Sequence, residues 1–181
     1  MKIKAIYIAA FLIFCTQTLS AAQSSKLDQE DTKTLRVFIF AGQSNMVGTH
    51  SDAREIDNFS PFVGTGDEQP KIRYSYAIGR ETMHRSNGWS TLQPVNNVVG
   101  PELSFGKIVS NQIKAPIAII KCASGGTTLG SDWNPDDPVG FKLYPLALKL
   151  VNDALQSLRA KKIKYRIEGF FWHQGENDMF N

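Results

Sequence analysis

The sequence predicts an α/β fold: a parallel sheet with helices covering both faces. Residues 35–41, 115–121 and 165–175 are strand-like apolar runs, and each leads into a glycine-containing polar loop. A strand wetted on one face alternates apolar and polar residues, whereas an unbroken run is buried on both. Helical periodicity fills the stretches between these runs, so the order reads strand, helix, strand, helix, strand.

Residues 1–22 stand apart from the fold. Lys2 and Lys4 precede the apolar stretch AIYIAAFLIF, which is too short to span a bilayer, and small residues at Ser20 and Ala22 suit cleavage before Gln23. This is the pattern of a secretory signal peptide, so the mature chain is expected outside the cytoplasm, secreted or periplasmic, with no membrane attachment. Residues 23–34 are a polar lead-in of disordered character, and residues 35–181 form one domain.

Within that domain, residues 35–41 make the first buried strand, closed by Gly42. Residues 50–100 are irregular and rich in Gly, Pro, Asp and Asn, with strand-like pieces at 71–78 and 89–95. The segment 100–113 reads as a helix. Pro101 suits its first turn, Glu102 suits its dipole, and Leu103, Phe105, Ile108, Val109 and Gln112 recur at helical spacing. Residues 115–121 form the second strand. Residues 138–162 carry the strongest helical signal, with Leu143, Ala147, Leu150, Val151, Ala154 and Leu158 in one stripe and Arg159 near the C-terminal end. The third strand, 165–175, holds Trp172, read as a core residue.

Composition narrows the partners. The formal charge of +3 falls to +1 when Lys2 and Lys4 leave with the signal, which argues against nucleic acid. Of the two cysteines, Cys15 leaves as well, so Cys122 has no intrachain partner and reads as a small buried hydrophobe. No His, Cys and carboxylate spacing suggests a metal site. Oligomeric state is not legible.

In parallel sheets, ligands bind at the carboxyl ends of the strands. Three loops lie there: GQSN (42–45), SGGT (124–127) and HQGEND (173–178). Singly, each has a bland reading: Ser44 as a helix cap, SGGT as a flexible connection, HQGEND as a polar turn. Together they are complementary. Ser44 offers a nucleophilic oxygen at a helix N-terminus, Gly125 and Gly126 can aim backbone N–H groups at an oxyanion, and Gln174 and Asn177 carry amide donors. That set fits acyl transfer.

GQSNM, CASGGTTLGSDW and WHQGEND, in this order, resemble the three motif blocks of the SGNH (GDSL-like) hydrolases, in the carbohydrate O-acetylesterase branch of sialate O-acetylesterases and acetylxylan esterases. The resemblance covers nearly all of residues 35–181. It implies a three-layer α/β/α sandwich of flavodoxin-like style and a cofactor-free serine esterase that acts on acetylated carbohydrates. It further implies Ser44 as nucleophile, with the N–H groups of Ser44 and Gly125 (or Gly126) and the side chain of Gln174 or Asn177 in the oxyanion hole. Met46 stands where the α/β-hydrolase elbow has its second glycine, which favours the SGNH reading.

The family draws its base from a later Asp-x-x-His segment, and none follows the third block here; the chain is therefore expected to be a piece of a longer enzyme, with its last strand and helix missing. His50 lies in a polar loop, and Glu81-x-x-His84 precedes the blocks it would have to follow. His173 suits a structural or substrate-contact role. Trp133, with Asp132 and Asn134, offers a face for a sugar ring or packs beneath its loop. Gln43, Gly126, His173 and Glu176 complete the candidate substrate contacts. Glu176 and Asp178 read as loop scaffold rather than as an acid or metal pair. A carbohydrate-binding module that keeps the site without its base is the alternative to an esterase.

Overall fold

The computed structural model describes residues 31–80, 82–137 and 139–180; the proposed signal peptide, Glu81 and Pro138 lie outside them. β1 (Leu35–Gly42) leads into a short helix, α1 (Ser44–Val47). β2 (Gln69–Ile78), β3 (His84–Arg85) and β4 (Ser90–Leu92) follow, then α2 (Pro101–Gln112), β5 (Ile117–Ala123), α3 (Leu143–Ala160) and β6 (Tyr165–His173). The sheet runs β3-β2-β5-β1-β6, and β4 also pairs with β2, on the edge away from β5. β2, β5, β1 and β6 are mutually parallel, whereas β3 and β4 run antiparallel to β2.

The unbroken apolar runs have a simple cause. Successive side chains of a strand face opposite ways, and both faces of this sheet are covered. Phe38, Phe40, Ile72, Tyr74 and Ile119 pack with Met46 of α1 and Leu103 of α2 on one face. Leu35, Val37, Ala118 and Ile120 pack with Ala154, Leu155 and Leu158 of α3 on the other. The result is the three-layer arrangement that the sequence predicts.

Three local readings change. The strand-like piece at 71–78 is β2, which extends to ten residues and joins the core sheet in parallel register with β5. Its polar residues Lys71 and Arg73 are exposed between buried Ile72 and Tyr74, which hides its core role from a search for continuous apolar runs. Ile108 faces solvent at 56% exposure, so the buried stripe of α2 runs through Glu102, Leu103 and Gly106 instead. Trp172 is 42% exposed, because β6 is the edge of the described sheet.

Cys122 is buried in β5, and burial pushes its thiol up to about 12. Because the thiolate is the reactive form, alkylation of Cys122 at pH 8 is expected to await unfolding. Mapping the modified peptide across a denaturant series checks this. Rapid labelling of native protein would contradict it.

Candidate active site

The site is built where three neighbouring strands end. β5, β1 and β6 lie side by side, and the three motif loops leave their carboxyl ends together. Gly42 is paired with His173, and the N–H of Gln43 donates to the His173 carbonyl at 2.9 Å. On the other side the Ser124 N–H donates to the Gly42 carbonyl at 3.1 Å. These bonds hold the three loops in one register.

Ser44 is the first residue of α1, and the cap position belongs to Gln43, so the serine hydroxyl is not occupied in capping. The Gln43 amide donates to Ser44 Oγ at 3.4 Å, a long contact. Its other end, Gln43 Oε1, accepts from Gln174 Nε2 at 3.1 Å and from the Asn177 N–H at 3.4 Å. Gln43 is 2% exposed. It therefore ties the serine loop to the third loop from beneath.

Gln174 is fully committed. Its Nε2 donates to the Thr127 carbonyl at 2.6 Å and to Gln43, with Asp178 Oδ2 a third acceptor at 3.4 Å. Its Oε1 accepts from the Thr127 hydroxyl at 3.1 Å. An amide nitrogen has two hydrogens, and three acceptors already surround this one. Asn177 sits differently: its Nδ2 lies 3.8 Å from where a Cβ on Gly126 would project. A Cβ on Gly125 would project to 3.7 Å from Ser44 Cβ. Ser44, the two glycines and the Asn177 amide thus share one small space, with Gln174 behind it.

The remaining candidates fall around this centre. Trp133 is buried at 7% exposure, donates its indole N–H to Thr127 Oγ1 at 3.3 Å and packs edge-on against Trp172 at 4.7 Å. It occupies the packing position rather than an open sugar platform. Asp132 accepts from the Thr128 N–H at 3.0 Å, and Asn134 donates to the Gly130 carbonyl at 3.2 Å, so both shape the glycine loop. Glu176 accepts from Asn45 Nδ2 at 2.5 Å and pairs with His173 Nε2 at 3.2 Å, joining α1 to β6. Asp178 accepts from the Leu129 N–H at 2.7 Å, which makes it loop scaffold. No hydrogen bond among the described residues joins a histidine to Ser44 Oγ. His84 lies instead in β3, on a cavity it shares with Glu102 and Lys121.

Two contributors lie outside the candidate residues named from the sequence. Thr127 is a buried hub whose single hydroxyl hydrogen lies between two acceptors, the Ser124 carbonyl at 2.9 Å and Gln174 Oε1 at 3.1 Å. Arg80 follows β2 and donates to the Gly126 carbonyl at 3.2 Å, with Asp132 at 3.5 Å and the Phe141 ring 5.3 Å beneath its guanidinium. Arg80 fixes the glycine loop from the side. Only knowing that β2 runs parallel beside β5 would have brought Arg80 to this end of the sheet.

The family model described as "carbohydrate esterase, sialic acid-specific acetylesterase" matches residues 34–181. A protein of Arabidopsis thaliana with a known X-ray structure superposes at TM-score 0.53 with 23% identity, over 79% of this chain and 58% of that one. A carbohydrate acetylesterase from Xanthomonas citri superposes at TM-score 0.43 with 17% identity, over 78% of this chain and 32% of that one. The first likeness supports the fold, and the chain spans little more than half that protein's length. No curated protein sequence matches the chain.

Proposed function

We infer the activity from a membership: the chain belongs to the carbohydrate esterase family of sialic acid-specific acetylesterases. The reading is hydrolysis of acetyl esters on carbohydrate hydroxyls by a serine nucleophile. What carries it is the convergence of Ser44, Gly125, Gly126 and Asn177 at the ends of three adjacent strands.

In this reading Ser44 Oγ attacks the acetyl carbonyl. The N–H groups of Ser44 and Gly125 and the Asn177 amide face the developing oxyanion, while Gln174 and Gln43 hold the two loops in place. Donors fixed before reaction stabilise such charge without reorganising, which is why a rigid backing of amides suits the task. The sugar alkoxide leaves with a proton, and water then releases acetate from the acyl-serine, with no cofactor required. The proton transfers need a base. We assign that role to a histidine oriented by an aspartate, as in other serine hydrolases. Export to the periplasm or the exterior rests on residues 1–22 alone.

An organophosphonate probe tests the nucleophile. In the intact protein the adduct is expected on Ser44 and nowhere else, and an unlabelled Ser44 would overturn the assignment. The second reading is a carbohydrate-binding module that keeps the site without catalysis. Acetate release from acetylated xylan or acetylated sialic acid separates the two: sugar binding with no release supports the module.

A further inference from the structure

Lys121 stands in the middle of β5, a strand otherwise wholly apolar, and is completely buried. An ammonium taken out of water costs several kcal/mol unless paired and hydrogen-bonded. It is paired. Nζ lies 2.5 Å from Glu102 Oε2, with the two side chains 0% and 3% exposed. The Tyr74 hydroxyl donates to the other carboxylate oxygen at 3.2 Å. Burial lowers the lysine pKa and the Glu102 carboxylate opposes that shift.

A buried pair of this kind gives little stability over apolar residues of the same size, so its presence needs another reason. The reason lies in a third bond. Lys121 Nζ also donates to the Val47 carbonyl at 3.2 Å. Val47 ends α1, and the last carbonyls of a helix have no partner within it. The end is gripped from two more directions. Gly48 turns away at φ 93°, where a Cβ would come within 2.3 Å of the Val99 carbonyl. A Cβ on Gly100 would fall 2.2 Å from Lys121 Nζ and 2.8 Å from the Val47 carbonyl oxygen. Glycine at position 100 admits the close approach that the ammonium needs, and glycine at position 48 lets the chain pass the Val99 backbone.

Because α1 is a single turn, whatever fixes Val47 also fixes Ser44. We propose that the buried Lys121–Glu102 pair is a positioning device for the nucleophile: the ammonium clamps the end of α1 and sets Ser44 in register with Gly125 and Asn177. This inference rests on the reading of Ser44 as nucleophile. Lys121 acts only through α1 and touches no reacting atom.

The test uses the intact protein with Lys121→Met and Glu102→Gln combined, which keeps volume and removes both charges together. Tyr74→Phe is the control, since it removes a bond from the far side of Glu102 and spares the clamp. In the double variant kcat and the rate of Ser44 phosphonylation are expected to fall on the order of 10- to 100-fold, because small misplacements of a reacting group cost that much. KM should stay within about twofold, as uniform substrate binding is untouched. Amide exchange across residues 44–49 should accelerate while β5 and α3 keep their protection. Tyr74→Phe should match wild type in both. A folded double variant with wild-type kcat and wild-type exchange overturns the proposal. A double variant that cannot fold also overturns it, by placing the pair in the scaffold. Faster exchange in a protein whose wild type never labels Ser44 would retain the clamp and reject the serine reading.

Discussion

Gly42→Ala is expected to unfold much of the protein at room temperature or to leave it only marginally stable. A Cβ at this position would lie 1.9 Å from the His173 carbonyl oxygen, 2.7 Å from its carbon and 3.0 Å from Met46 Cβ. Two of those atoms are backbone of the neighbouring strand, so no side-chain rotation relieves the clash. Relief requires β1 and β6 to part at the pair where both strands hand over to their loops. Parting them breaks the Gln43 N–H to His173 bond and strains the Ser124 N–H to Gly42 bond on the other side. A loss beyond about 3 kcal/mol follows for overpacking against backbone. Denaturant midpoints check it, and a variant within about 1 kcal/mol of wild type would contradict the close approach. The methyl group is small, yet it meets the last pair at which β5, β1 and β6 are held together.

This residue also shows how far the sequence could be read. The glycine after an apolar run was legible as the close of a strand, and the serine two places later as a candidate nucleophile. That His173 would press against Gly42 was not legible, because the contact crosses 131 positions and depends on β6 pairing beside β1. The same holds for Glu102. Its place in a first helical turn suggested a dipole partner, and the residue that it meets, Lys121, is fixed only once α2 packs over β5. Runs and periods within one element are printed in order along the chain, so β1, α2, β5, α3 and β6 were recoverable. β2 was missed as a core strand for the converse reason: its exposed Lys71 and Arg73 break the run, and its burial comes from neighbours distant in sequence. Arg80 was lost with it. The motif residues are legible as candidates since their spacing is local, and the two amides stay unranked because their hydrogen bonds are not.

Asn177→Ala and Gln174→Ala are expected to fail in different ways, and the difference assigns the oxyanion donor. Gln174 directs its N–H groups to the Thr127 carbonyl and Gln43 Oε1, and accepts from the Thr127 hydroxyl. Its removal takes the donor from the Thr127 carbonyl, one of two donors from Gln43 Oε1 and one of two acceptors from the Thr127 hydroxyl, a loss of about 1–3 kcal/mol in stability, with kcat and KM both worsened as the two loops loosen. Asn177 meets Gln43 through its backbone N–H at 3.4 Å, a contact that alanine keeps. Its side-chain amide lies by Gly126, beside the glycine that faces Ser44. Losing one such donor from an oxyanion hole costs on the order of 10²- to 10³-fold in kcat. KM should move little, since the interaction forms in the transition state. Steady-state kinetics beside denaturation curves for both variants decide the matter. If Gln174→Ala lowers kcat alone while Asn177→Ala leaves it intact, the roles are reversed. The donor would then be the amide that already serves three acceptors, which would require the Thr127 loop to release it as substrate arrives.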